Sequence, residues 1–358
     1  MCGLVASFLV PAEASFKQKK SNSTIFNTLN QMANLETTYL GLKLKNPLIA
    51  ASSGITNSVE KIRKLEEAGI GAVVLKSIFE EQINNEVTSM LLSDYHHTSY
   101  PEAEDYIRNY LRNNVLTKHV ELISEVKKAV NIPVIASVNC VSASEWVAFA
   151  REFQDAGADA LELNIFYVPV DRREEPDAIE KLYYNVLQKV NREVSIPVSV
   201  KIGLYHSNII SMVDKLKAYG AKGVVMFNRF YEPDIDLDKL VLTTSPVFSS
   251  PIEIRHTLRW VGLVSSVVPE MDIAASTGIH DGKAVIKQLL AGAKTVQLCS
   301  TLYLNGNSVI PQMLSEITEF MKKRQFANLN EFIGRLSYKN IPDPMVYERS
   351  QFMKYFSS

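Results

Sequence analysis

The sequence predicts an α/β protein, a (β/α)8 barrel, and three observations lead there. First, "AGIGAVVLK" (68–76), "AGADALELN" (156–164), "YGAKGVVMFN" (219–228) and "AGAKTVQLCS" (291–300) repeat one unit. In each, a glycine closes a helix at the left-handed position, a small residue follows, and a short strand begins. Second, those strands are apolar at successive positions rather than alternate ones, the mark of parallel strands buried on both faces. Third, strands of this kind alternate with amphipathic helical patterns across most of the chain, at the size expected of this barrel.

In chain order the strands are expected at 47–52, 72–76, 133–138, 160–165, 198–202, 223–228, 272–277 and 295–300. Helical patterns lie between them, for example at 58–69, 142–157, 207–220 and 282–293, several of them starting at serine or asparagine as N-caps do. Ile-Pro precedes two of the strands, at 132–133 and 196–197. The alternative, an open doubly wound sheet, would carry a GxGxxG after its first strand, and none is found. The stretch 77–117 breaks the rhythm: it is long, shows no clear strand before a helix near 102–114, and in a barrel would cover the active-site mouth. A last barrel helix is expected at about 307–325.

This divides the chain into an N-terminal extension at 1–31, a barrel at 32–326 and an aromatic-rich extension at 327–358 that packs on it. The first residues, "MCGLVASFLVPAEAS", lack the basic residues of a secretory signal and are too short to span a bilayer. The preferred reading is a disordered extension or an upstream start, because Met32 stands just before the first patterned segment.

Bulk properties exclude several function classes. The 358 residues are 46% hydrophobic and 22% charged, with a net charge of −1, so neither nucleic acid nor membrane is an expected partner. Cys2, Cys140 and Cys299 form no CxxC pair, which suggests a reducing, cytoplasmic setting without a disulfide scaffold or cysteine-held cluster. The histidines, including the pair His96–His97, show no metal-ligand spacing.

Barrel active sites form at the C-terminal strand ends. Those ends carry Ala51-Ser52-Ser53-Gly54, Lys76-Ser77, Asn139-Cys140, Asn164, Lys201, Asn228-Arg229, Ser276-Thr277-Gly278 and Cys299-Ser300-Thr301. Singly, each asparagine reads as a turn starter and each lysine as a side chain reaching for solvent. Together they converge on one mouth, and buried amides and ammoniums must find partners. The loops "STGIHDG" and "CSTLYLNG" offer hydroxyls and N–H groups where barrels hold phosphate. The amides suit the edge of a flat heterocycle, and a lysine beside it could stabilise developing negative charge. FMN meets all three requirements.

These residues resemble the dihydroorotate dehydrogenase family of FMN-dependent barrels over about 32–335, and also the flavin barrel of dihydropyrimidine dehydrogenase. "LETTYLGLKLKNPLIAASSG", "VLKS", "IPVIASVNC", "GADALELN", "VSVKI", Asn228, "STGI" and "GAKTVQLCST" follow the family's order. The resemblance implies oxidation of dihydroorotate to orotate, or of a related small pyrimidine-like substrate, by hydride transfer to flavin N5. It implies that Ala51 and Ser52 lie along the flavin, with Ser77 in the second-strand Lys-Ser. It implies that Lys76 sits near the substrate carboxylate or the flavin, and Lys201 beside the ring. Asn139, Asn164 and Asn228 would bind FMN or the pyrimidine, and Gly278, Cys299 and Ser300 would surround the phosphate. A homodimer and an electron-transfer partner are further expectations, with the acceptor itself left open.

The substrate half departs from the family pattern. The family's loop base is a cysteine or serine in a motif like Asn-x-Ser-Cys-Pro-Asn; here the register reads Asn164-Ile165-Phe166-Tyr167-Val168-Pro169. The base position is Tyr167, whose phenol, with a reference pKa of about 10, would need a cation such as Lys76 or Lys201 to lower it. The other reading is that Tyr167 covers the flavin or packs under the loop. The loop after strand 2 lacks the family's Asn-rich motif, and the glycine pair after strand 6 is Ser249-Ser250. Two alternatives stand beside the flavoenzyme: a Schiff-base aldolase barrel using Lys201 or Lys76, and a non-catalytic flavin-binding relative.

Overall fold

The computed structural model describes residues 33–79, 101–139, 143–229 and 232–348. The parallel strands close on themselves. They are β3 (Leu48–Ala50), β4 (Ala72–Val74), β6 (Val134–Asn139), β7 (Ala160–Asn164), β8 (Val198–Ile202), β9 (Gly223–Met226), β12 (Asp272–Ser276) and β13 (Thr295–Leu298). Each pairs in parallel with the next, β13 pairs with β3, and β4 pairs with β6 around the short strand β5 (Ile78–Phe79). This is the (β/α)8 barrel that the repeated unit foretells. The four glycines of that unit, Gly69, Gly157, Gly220 and Gly292, all have φ between 97° and 119°, where other residues are strained.

Helices cover the barrel: α1 (Val59–Glu67), α2 (Pro101–Ala129), α3 (Ala143–Asp155), α4 (Pro176–Glu193), α5 (Ile209–Ala218), α6 (Ile254–Val267), α7 (Gly282–Ala291), α8 (Ser300–Asn305) and α9 (Val309–Arg324). The Ser58, Asn208 and Asp281 side chains cap α1, α5 and α7. Helix α2 runs well past the stretch near 102–114, because Ile123 and Val126 are buried in the core and Val115 and Leu116 pack against it. The polar stretch preceding α2, including His96 and His97, lies outside the described residues, as do Cys2, Cys140 and the N-terminal extension 1–31.

The floor of the barrel is an antiparallel hairpin, β1 (Thr37–Tyr39) and β2 (Leu42–Leu44). Tyr39, Leu40 and Leu44 are buried with Ile49, Ala72, Val74, Ile135, Ala160, Val225 and Ala274. The Leu40 N–H donates to Asp272 Oδ2 at 2.8 Å, tying the hairpin to β12. A second hairpin, β10 (Pro233–Asp236) with β11 (Val241–Thr244), projects after β9. Neither hairpin is expected from the sequence pattern, since their strands are too short to show a period.

After α9 the chain returns through a 3₁₀ turn at Leu329–Glu331. Leu329 and Phe332 are fully buried, and Phe332 stacks on Phe326 at 5.3 Å and meets Phe320 edge-on at 5.4 Å. Phe332→Ala is therefore expected to cost about 3–5 kcal/mol in urea unfolding; an unchanged midpoint would show that this segment is not part of the folded unit.

Candidate functional site

The C-terminal strand ends enclose a cavity of about 480 Å³. One wall is the turn Ala51–Gly54 after β3, whose path is fixed by Ala51 N–H donating to the Leu298 carbonyl at 2.8 Å. Lys201 rises from β8 into the base, and Asn228 and Arg229 line the side beyond β9. Arg229 donates to Glu253 and to the Pro246 and Val247 carbonyls, so it braces the wall. Phe248 and Tyr303 stack at 5.3 Å and form an aromatic outer wall.

At one end the cavity is rich in hydroxyls and backbone N–H groups. Ser249 N–H donates to Ser300 Oγ at 2.9 Å, Gly278 N–H donates to Ser249 Oγ at 3.4 Å, and His280 Nε2 lies 3.2 Å from the same hydroxyl. Burial pushes the His280 imidazole below its ordinary pKa, so it is neutral at neutral pH. Thr277 and Gly278 both have φ of 77°, in the left-handed region. A Cβ at Gly278 would collide with the Ile254 backbone nitrogen, so the loop can approach α6 this closely only with glycine.

At the base, Lys201 is 7% exposed and Glu162 on β7 is 1% exposed. Lys201 Nζ donates to Gln297 Oε1 at 3.1 Å, and Gln297 Nε2 donates to Glu162 Oε2 at 2.5 Å. Sequence reasoning passed over Glu162 and Gln297, although a charged or amide side chain within an apolar strand was the available signal.

The structure gathers Ala51, Ser52, Lys201, Asn228, Gly278, Cys299 and Ser300 around this cavity. Asn164 joins them indirectly, accepting from Asn228 Nδ2 at 2.8 Å. Asn139, at the end of β6, is buried. Ser77 is held in the interior by Ser52 and Ser137, at 2.9 and 2.7 Å.

Lys76 goes elsewhere. Val74 stands opposite Ile135 but Ile78 stands opposite Val138, so one extra residue lies on the β4–β5 side. Such a bulge reverses the facing of the residues after it. Ser77 turns inward, and Lys76 lines a separate cleft with Asn57, Ser58, Lys118, His119 and Glu125. The expectation that Lys76 sits near the substrate carboxylate or the flavin assumes an unbroken strand.

Tyr167 also differs from expectation. Its hydroxyl donates to the Glu174 carboxylate, and that bond raises the phenol pKa, whereas a base at this position needs a cation to lower it. The partner lies within the same loop, seven residues on, a contact that strand periodicity does not report.

The donor set fits a flavin nucleotide: a buried ammonium with unused protons, an amide pair, flat apolar walls and a hydroxyl-rich end. The family model for dihydroorotate dehydrogenase matches residues 34–321. The chain belongs to the dihydroorotate dehydrogenase family. It is 27% identical over 323 residues to the dihydroorotate dehydrogenase B (NAD(+)) catalytic subunit of Thermoplasma volcanium, covering 85% of this chain and 98% of the relative. It is 23% identical over 331 residues to the NAD-dependent dihydropyrimidine dehydrogenase subunit PreA of Escherichia coli K12, covering 86% of this chain and 78% of that one. The protein is thus an oxidoreductase of the type acting on CH–CH groups, and members of this family are FMN-dependent flavoproteins. Among the described residues no helix is long and apolar enough to cross a membrane, and no cluster of metal-ligating side chains is present.

Burial pushes the Cys299 thiol up, with Lys201 and Ser53 opposing that shift only in part. A raised thiol pKa leaves less thiolate at neutral pH, which argues against Cys299 as a substitute base. In a Cys2→Ser, Cys140→Ser background, Cys299 is expected to react with iodoacetamide more slowly than free cysteine at pH 7, and to accelerate only above the usual thiol range. Labelling as fast as free cysteine at pH 7 would contradict this.

Proposed function

We propose that the cavity over Lys201 holds FMN and that the protein oxidises dihydroorotate, or a closely related dihydropyrimidine. The observation that carries this reading is the buried ammonium beneath a cavity with amides on one side and a phosphate-like cradle at its end. FMN, when bound, supplies a two-electron acceptor that takes a hydride from the substrate carbon at N5. Lys201 stabilises negative charge at the ring edge. Asn164 and Asn228 pair donor with acceptor and orient a flat heterocycle. Ser249, Gly278 and Ser300 receive the phosphate, and Phe248 with Tyr303 keeps water from the outer side. The same reading takes 32–326 as the FMN-binding barrel and 327–358 as an extension packed on it.

Loss of a hydride from one carbon requires loss of a proton from its neighbour. With the phenol bonded to Glu174, Tyr167 serves as a relay: its oxygen takes the substrate proton while its own proton passes to the Glu174 carboxylate. Glu174 is then the base, and no phenolate is needed.

The Phe166-Tyr167-Val168 sequence, where the family keeps cysteine or serine, favours a second reading of the substrate as another dihydropyrimidine or enone-like ring. Both relatives are named as subunits, which supports a partner protein as the route by which electrons leave.

Anaerobic addition of dihydroorotate to the flavin-loaded protein is expected to bleach the flavin. Tyr167→Phe and Glu174→Gln should each slow bleaching on the order of 100-fold while FMN is retained. Bleaching by another dihydropyrimidine alone would select the second reading, and an unchanged rate in Tyr167→Phe would remove the relay.

A further inference from the structure

The pair beneath Lys201 has a role that the substrate chemistry does not by itself require. Glu162 is 1% exposed, on a strand otherwise made of apolar residues and Asn164. A lone carboxylate there would be strongly disfavoured. Gln297 comes from β13, on the far side of the barrel from β7, and its amide joins the two charges. Its oxygen accepts from Lys201 Nζ at 3.1 Å and its nitrogen donates to Glu162 Oε2 at 2.5 Å. Only this orientation of the amide works: turned over, NH2 would face an ammonium and oxygen would face a carboxylate.

The arrangement leaves capacity unused on the cavity side. Lysine has three donors, and Gln297 takes one. The second carboxylate oxygen, Glu162 Oε1, lies 3.8 Å from Nζ, beyond hydrogen-bond reach, and among the described residues has no hydrogen-bond partner. The carboxylate therefore offsets the charge of the ammonium without consuming its protons. Among the described residues no other carboxylate pairs with Lys201. Cys299 is a neutral thiol above Lys201, and Tyr39 from the barrel floor is a buried phenol whose pKa is raised first by burial and then by the Glu162 charge.

We propose that Glu162, acting through Gln297, is the positioning residue and counter-charge of Lys201: it fixes the ammonium against the cavity and sets how much positive field a ring above it feels. The effect on a ring rests on the flavin reading; the pairing of the two charges does not.

Two measurements separate these halves. In the apoprotein, Glu162→Gln leaves a buried ammonium without its counter-charge and is expected to lower Tm by on the order of 5–10 °C. Lys201→Met added to it removes the stranded charge, so the double variant should melt above Glu162→Gln alone. In the flavin-loaded protein, Glu162→Gln should raise the flavin midpoint potential, because the ammonium field is no longer offset and reduced flavin carries more negative charge. Gln297→Leu keeps both charges, so it should weaken FMN binding about tenfold with a smaller change in potential. Tm losses that simply add in the double variant, or an unmoved potential in Glu162→Gln, would overturn the proposal. Wild-type protein that takes up no FMN would instead overturn the flavin reading, and the melting comparison would still decide the ion pair.

Discussion

A positive charge buried in a parallel barrel is stable only where opposite charge and hydrogen bonds meet it, and this constraint organises the site. Lys201 enters from β8, Glu162 from β7 and Gln297 from β13, and the barrel must be closed for three such strands to meet. Closure in turn needs a filled floor, which Tyr39, Leu40 and Leu44 provide. Apolar packing below and a neutralised ammonium above leave Ser52, Asn228, Gly278 and Ser300 around one cavity. Breaking such a pair from one side costs more than the pair itself contributes, since the survivor is left unpaired.

The two halves of the mouth are built differently. Toward β12 and β13 the backbone does most of the work: a left-handed turn at Thr277–Gly278, close packing on α6, and serines bonded to one another. That half needs only that glycine and small hydroxyl residues occur in the right places. Toward β7 the loop carries Phe166, Tyr167 and Glu174, and it is held by side chains: the Tyr167 hydroxyl donates to the Glu174 carboxylate.

Much of the fold was legible because the signals were local. A glycine at each helix end and successive apolar residues in each strand repeat often enough to establish the barrel, and the ends of those strands locate the mouth. What was not legible depends on register or on contacts between elements. A single extra residue between Val74 and Ile78 exchanges the facings of Lys76 and Ser77. The partner of Tyr167 is a loop carboxylate rather than a strand-end lysine. Glu162 and Gln297 sit inside runs quoted for their apolar character, and their pairing exists only once β7 and β13 face each other across the barrel. The C-terminal aromatics read as a packing segment, but Phe332 meeting Phe320 and Phe326 is a tertiary fact.

The central claim is that this barrel holds one FMN over Lys201. Its most direct measurement is the flavin released on denaturing the purified, FMN-reconstituted protein, compared with Lys201→Met. One equivalent of FMN per chain is predicted for the wild type, with a marked loss in the variant. A colourless wild type that releases no flavin, or a variant that retains it with undiminished affinity, would contradict it.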